Sequence, residues 1–456
     1  MAQGFTTAHS TQIAVMVNKN TRYKYLVVEA SKKHIKSKLW TALGHKNFLK
    51  NKKNSVVVSV AKKKTRSFSN QAIETLFIKG LQLKKTYSLL VIKKQSCKKK
   101  DKACVKKCGS FCSVLVDERK FKALDTNKTA VKMAVASCSA TYAYDVQKQI
   151  WPELLQHHPD VILLIGDNVY VDRYINGQSV TNSKSFWTRY VEMRKSLYLY
   201  KAKTLIPIFA TWDDHDYGTN DGDSSFKWKK ESTKVFNSFF AQKPISPVFQ
   251  KGPGVSYVVQ AFGQRLFLMD NRSFRTANVN DKRNLRKIKK VKYETHWGKA
   301  QEKWLFAKLQ KSNTPAWLID GGQFFGGYLP WESYEASHPN NFKNIFLPNI
   351  KKSKSVLAFL SGDRHFFEFI KIPKKELGFT TYEITTSGIH TRLYPGLWNK
   401  YFNKRQIFGK ATFYNYAIIN SKAIVSTVLN KGLAVNLEAW GLGRKLVYKN
   451  RFKIFK

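Results

Sequence analysis

Short, largely apolar runs, each cut off by a polar loop, set the rhythm of the chain from about residue 130 onward. Six stand out, at 131–136, 161–165, 205–210, 265–269, 317–319 and 356–360. They are too short for helices and too continuous for an exposed face, so they predict buried strands. Between them the apolar spacing changes to that of a helix. Residues 146–157 put Ile150, Leu154 and Leu155 on one face, and similar patterns cover 185–200, 228–242 and 299–310. Strand and helix in alternation predict an α/β arrangement. The loops closing the six runs carry Cys138, then Asp167 with Tyr170, then Asp213 and Asp214 with His215, then Asp270, Asp320, and Asp363 with His365. Ligands gather at the carboxyl ends of strands in such folds, so these loops are expected to converge.

Residues 1–125 have a different texture, with short β-type runs at 25–29 and 55–60 and two more within 78–92 that are expected to pair across Gly- and Lys-rich turn chemistry. A tyrosine leads the last run, as in an immunoglobulin or fibronectin-type sandwich. The chain is therefore expected to hold two domains: an N-terminal β-sandwich over 1–125 and an α/β domain over 126–456. Cys97, Cys104, Cys108 and Cys112 crowd an insertion at 97–112. They lack the C-x-x-C pairs of common zinc sites. Two disulfides in an exported protein fit them better, with three pairings open. Cys138 stands apart from this group.

Composition narrows the class. With 43% hydrophobic and 14% aromatic residues the 456-residue chain is an ordered globular protein. No apolar stretch approaches the ~18 residues of a membrane span. The first fifteen residues lack a secretory signal, which leaves a cytoplasmic protein or a mature exported form open. The net charge of +50 attracts polyanions in general. It is scattered as lysines with short runs at 62–64 and 98–100, so it reads as solvated faces that can steer an anionic substrate and bind nucleic acid unspecifically. Against that background five aspartates fall between 213 and 223, with no Lys or Arg from Leu205 to Phe226. Carboxylates crowded like this call for a compensating cation.

Several stretches together resemble the PhoD-type alkaline phosphatases and phosphodiesterases, a metallophosphoesterase-like family. They are Ala136-Ser137-Cys138-Ser139, Gly166-Asp167-Asn168-Val169-Tyr170 and Trp212-Asp213-Asp214-His215-Asp216 with Asn220. Asp270 with Arg272 and Arg275, the helix at 301–309, Leu360-Ser361-Gly362-Asp363-Arg364-His365, and Glu383-Ile384-Thr385-Thr386-Ser387-Gly388 complete the set. They follow the family's order over about 130–395, and closing strands near 417–424 and 433–439 suit its layout. Two departures are visible: Asp216 where the family commonly has Glu, and Thr219-Asn220 in place of an asparagine pair.

The resemblance implies a metallophosphatase-like α/β sandwich behind the N-terminal sandwich. It implies that Cys138, Asp167 and Tyr170 bind metal, with Asp167 bridging two positions, and that Asp213 or Asp214, Asn220, Asp363 and His365 complete the site. His215 would contact the substrate or leaving group. Thiolate and phenolate ligands suit Fe(3+), and carboxylate and amide oxygens suit Ca(2+). Metals about 3.5–4 Å apart can generate a bound hydroxide that attacks a phosphate monoester or diester. Arg275 or Arg364 would hold a phosphate oxygen, and His215 would protonate the leaving alkoxide. The implied protein is a monomer, periplasmic, secreted or at the cell surface. Two other readings stay open: a non-catalytic or weakly catalytic polyanion-binding protein, and a hydrolase of other esters on this scaffold. Taken singly, Cys138 reads as a buried small hydrophobe and Asp167 as a turn former.

Overall fold

The computed structural model describes residues 1–30, 60–96, 111–141, 144–172, 182–245, 247–280, 293–327, 332–395, 403–425 and 431–456. Two compact units result, Met1–Asp125 with Tyr200–Pro207 and Ser238–Lys243, and the remainder.

The first unit contains β1 (Ala2–Thr6), β2 (Ser10–Asn18), β3 (Tyr23–Glu29), β4 (Val60–Ser67), β5 (Gln71–Lys79), β6 (Thr86–Ser96) and β7 (Phe111–Lys122). They form two antiparallel sheets, ordered β1-β2-β5-β4 and β3-β6-β7. Ile13, Val15, Leu76 and Ile78 of one sheet share a buried cluster with Val27, Leu89, Val91 and Phe121 of the other. The two runs within 78–92 do not pair with each other, because β5 and β6 lie in opposite sheets. The Tyr87 hydroxyl, at the start of β6, accepts the Gln82 N–H at 2.9 Å and pins the corner between them. The expected strand at 55–60 lies outside the described residues except for Val60, and so do Cys97, Cys104 and Cys108. Cys112 belongs to β7 by its backbone only.

The second unit carries two mixed sheets. One is ordered β10-β9-β8-β19-β20-β21, from β8 (Ala130–Ala136), β9 (Val161–Ile165), β10 (Ile208–Thr211), β19 (Tyr416–Val425), β20 (Lys431–Gly441) and β21 (Lys445–Ile454). The other is ordered β11-β12-β13-β14-β15-β17-β16-β18. It comprises β11 (Phe249–Lys251), β12 (Tyr257–Ala261), β13 (Gln264–Leu268), β14 (Ala316–Ile319), β15 (Leu357–Ser361), β16 (Phe367–Ile372), β17 (Thr381–Thr386) and β18 (Gln406–Lys410). The longer helices are α1 (Tyr144–Leu155), α2 (Ser183–Ser196), α4 (Lys229–Phe239) and α5 (Gly298–Lys311), and α3 (Asp214–Tyr217) is a single turn.

All six apolar runs are strands, and they divide three to a sheet: β8, β9 and β10 are parallel, and so are β13, β14 and β15. Every residue of β9 and of β13, β14 and β15 is buried, which is why they lack a polar face. The run at 205–210 is split. Pro207 has no N–H for a ladder, and Leu205 joins the core of the first unit while β10 begins at Ile208.

Candidate active site

The site is built where β8, β9, β10 and β15 end. Cys138, Asp167, Asp363 and His365 all have positive φ, between 50° and 68°. Non-glycine residues rarely adopt that region, and it is concentrated at sites where the surrounding fold enforces it. Here it turns four side chains back toward one another just past their strands. Two glycines allow the loops to pack closely enough. A Cβ on Gly166 would lie 2.8 Å from Asp213 Cβ, and one on Gly362 would lie 2.7 Å from the Ile165 carbonyl oxygen.

Around Asp167 the thiol, the phenol and an imidazole assemble. Cys138 Sγ lies 3.5 Å from Asp167 Oδ2, and the Tyr170 hydroxyl is 3.5 Å from the same oxygen and 3.2 Å from His365 Nε2. The His215 N–H reaches Asp167 Oδ1 at 3.4 Å. Among the described residues four groups bring candidate ligand atoms within 4.8 Å of one another: Cys138/Asp167/His365, Asp167/Asp214/His215, Asp213/Asp214/Asp363 and Asp214/Asp221/Glu332. Asp167 links the first two and Asp214 the last three.

This much buried acid is unfavourable by itself. Burial, with Asp214 and Asp213 nearby, holds the Asp167 carboxyl well above the carboxylate range. Asp363 is pushed up to about 8 by burial and by Asp213 and Glu332. Asp213 rises to about 6 through burial, although Arg272 pulls the other way. Asp214 runs against its burial and is lowered by His215 and Arg272. Burial and Asp167 raise the Cys138 thiol. His215 also runs against its burial and is raised by Asp214, Asp167 and Asp172. Asp213 Oδ2 is buried and has no hydrogen-bond donor among the described residues. A cation would answer both that oxygen and the mutual repulsion, and the donor set fits one. Thiol, phenol, imidazole and carboxylate suit a strongly Lewis-acidic metal, and the two carboxylate-only groups suit a hard one.

Asp213, Asp214 and His215 come together with the Cys138 group, and so do Tyr170, Asp363 and His365. Asn220 sits at the exposed rim, where its amide donates to Asp221 at 2.7 Å. Arg275 is buried, paired with Glu332 at 2.5 Å and donating to Asn278 at 2.7 Å. Arg364 donates to the Glu332 carbonyl at 3.1 Å. Two of the strand-end aspartates are braces. Asp270 accepts from the Trp212 indole at 2.8 Å and Asp320 from the Trp297 indole at 2.6 Å. Asp216, which stands where the family commonly has Glu, is buried and ties Val169 N, Asn168 Nδ2 and Asp213 N into one brace.

Sequence reasoning assigned no role to five partners. Asp172 places both oxygens 2.8 Å from His215 Nδ1 and accepts the Asn220 N–H at 3.1 Å. Arg272, fully buried, pairs with Asp213 and, at 2.9 Å, with Glu332. Ser387 accepts the His365 N–H at 2.7 Å and touches Cys138 Sγ at 3.2 Å. Thr391 meets the Tyr170 hydroxyl at 3.2 Å. Glu332 approaches from a stretch with no motif. Arg272 and Ser387 lay within matching motifs and Asp172 lies two residues past Tyr170, whereas Thr391 and Glu332 carried no local signal.

A family model for PhoD-like phosphatases matches residues 133–405. No curated protein matches the chain by sequence. Among solved structures, one described as PhoD aligns with a TM-score of 0.60 at 14% identity, covering 98% of this chain and 91% of that one. The purple acid phosphatase PPD1 from yellow lupin (Lupinus luteus) seeds aligns at 0.58 with 12% identity, covering 99% and 73%.

Proposed function

This chain belongs to the PhoD-like phosphatase family, and from that premise we propose that it hydrolyses phosphate monoesters or diesters at a two-metal site. The observation that carries the reading is the convergence of Cys138, Asp167, Tyr170 and His365 beside Asp213, Asp214 and Asp363. Cys138, Asp167, Tyr170 and His365 would hold Fe(3+), and Asp167, Asp214 and Asp363 would hold Ca(2+), with Asn220 at the rim. Asp214 is favoured over Asp213 as the closer ligand, since it shares one candidate group with Asp167 and another with Asp363, whereas Asp213 belongs only to the latter. When bound, such metals supply Lewis-acid activation of a water and neutralise phosphoryl charge. Asp172 holds His215 Nδ1, which leaves Nε2 to deliver a proton to the departing oxygen. Arg364, the more exposed of the two arginines, would hold a non-bridging oxygen, and Arg275 would steady Glu332. The N-terminal sheets fit an immunoglobulin-type sandwich, supported by their strand order and the Tyr87 corner. Among the described residues no helix is long and apolar enough to cross a membrane. Export remains part of this reading because of the cysteine insertion at 97–112.

The test is hydrolysis of 4-nitrophenyl phosphate and bis(4-nitrophenyl) phosphate before and after chelation, with metal analysis. Turnover of at least one, lost on chelation and restored by metal, is expected. No turnover of either and no bound metal would sink the proposal. If Tyr170 binds ferric iron, the loaded protein should show a visible phenolate-to-metal band that Tyr170→Phe removes while the fold persists. A band unchanged in Tyr170→Phe would take the phenolate out of the ligand set.

Asp172→Ala provides a further check. It should lower kcat about 10–100-fold, the usual cost of losing a residue that orients a functional histidine. Metal content should stay unchanged, since no candidate ligand is removed. An unaltered kcat in steady-state kinetics would show that His215 needs no support from Asp172.

A further inference from the structure

A row of rings leads from the buried ligand cluster to the surface. The His215 and Tyr170 rings lie 4.2 Å apart, and the Tyr170 hydroxyl meets His365 Nε2 at 3.2 Å. The His365 ring then stacks on Tyr394 at 5.4 Å with an angle of only 6°. Tyr394 is 39% exposed, and among the exposed large hydrophobic residues its ring is the one that contacts a candidate ligand. The Arg392 guanidinium lies 5.3 Å from its centre.

The loop that carries Tyr394 is held firmly behind it. His390 accepts from the Trp151 indole at 2.9 Å and contacts the Ala140 carbonyl at 2.8 Å. The Ile389 N–H donates to Ser137 O at 3.2 Å, and Thr391 touches Tyr170. Tyr394 therefore stands three residues beyond a clamped Thr391, next to the site and open to solvent. The part of the ring left open by His365 and by the Arg392 guanidinium over it stays wet unless a ligand covers it, and that guanidinium suits an anionic ligand.

We propose that Tyr394, with Arg392 beside it, is a specificity platform that stacks a planar aromatic group of the substrate, an aryl or nucleobase-bearing phosphate ester. This rests on the phosphoesterase reading above and names the substrate class for that site. The test compares binding of phenylphosphonate and methylphosphonate, which are not hydrolysed, to the metal-loaded protein. It also compares kcat/KM for phenyl phosphate and methyl phosphate. Wild type is expected to prefer the phenyl probes, and Tyr394→Ala should reduce that preference about tenfold, chiefly through Kd and KM, in line with the loss of one stacking contact. Tyr394→Phe should keep it. Equal binding of the two phosphonates by wild type, no binding of either, or an unchanged preference in Tyr394→Ala overturns the platform. If the phosphonate preference holds while neither ester is hydrolysed, the phosphoesterase reading fails and the platform stands.

Discussion

Asp167→Asn is expected to lower kcat/KM for aryl phosphates by about 10³-fold, equivalent to about 4 kcal/mol of transition-state stabilisation. Asp167 links two of the ligand groups, and Cys138, Tyr170 and the His215 backbone all lie within 3.5 Å of its carboxylate. The amide keeps the volume and one oxygen but loses the charge that would hold two cations together. The loss should not come from unfolding. Burial and neighbouring carboxylates oppose ionisation of Asp167 in the metal-free protein, so a neutral amide removes a strained charge. Metal-free Asp167→Asn should accordingly melt at or above the metal-free wild type, as when other strained functional residues are replaced. Activity within tenfold of wild type would remove Asp167 from the centre of the mechanism. A variant that melts well below wild type would show that the residue is structural.

Stripping the metals should destabilise the protein, and the loss should grow with pH. Without cations, Asp213 sits at about 6, Asp363 and Asp216 at about 8, and Asp221 at about 9, each raised first of all by burial. The same groups titrate near 3.9 in the unfolded chain. Between about pH 4 and 9 these four carboxyls therefore bind more protons in the folded metal-free state than in the unfolded state. Stability from these groups is complete below about pH 4 and drains away as pH rises through 6 to 9. Bound cations require deprotonated ligands, so they bind more tightly at higher pH and cancel this trend. An ion present at 100 times its Kd contributes about 2.7 kcal/mol, so two sites give about 5. Thermal melts of loaded and chelated protein should therefore differ by roughly 10 °C at pH 8.5 and by much less at pH 5.5. A chelated protein that is more stable at pH 8.5 than at 5.5 would refute the account.

Much of the second unit's fold was legible because its strands are buried on both faces. The Val161–Ile165 run and the runs that became β13, β14 and β15 have no polar side to blur the pattern. Boundaries moved where local chemistry outweighs hydrophobicity. Helix α2 starts at Ser183 because Asn182 caps it, accepting from Lys184 N and Ser185 N. The pairing within 78–92 went astray for another reason. Two apolar runs joined by a turn look alike whether they pair in one sheet or face each other across a core. The candidate ligands were legible as a group, because they follow strand ends in short polar motifs. Its supports were not. Arg272, Asp216 and Ser387 meet their partners across 59, 47 and 22 positions of chain.

The sequence alone determined which strands end in chemistry and which residue types those ends present, because strand period and loop composition are local properties. It also isolated the aspartates between 213 and 223 as a knot of charge needing compensation. Only the tertiary structure decided their separate fates. Asp214 and Asp221 join candidate cation groups, Asp213 joins one while half engaged by Arg272, and Asp216 is consumed in a brace. It likewise gave Asp270 and Asp320, which also follow strand ends, a bracing role by supplying each with an indole N–H. The reason is physical. Whether a buried carboxylate is a ligand or a brace depends on what donor lies within about 3 Å of it, and the chain sets that distance only by folding.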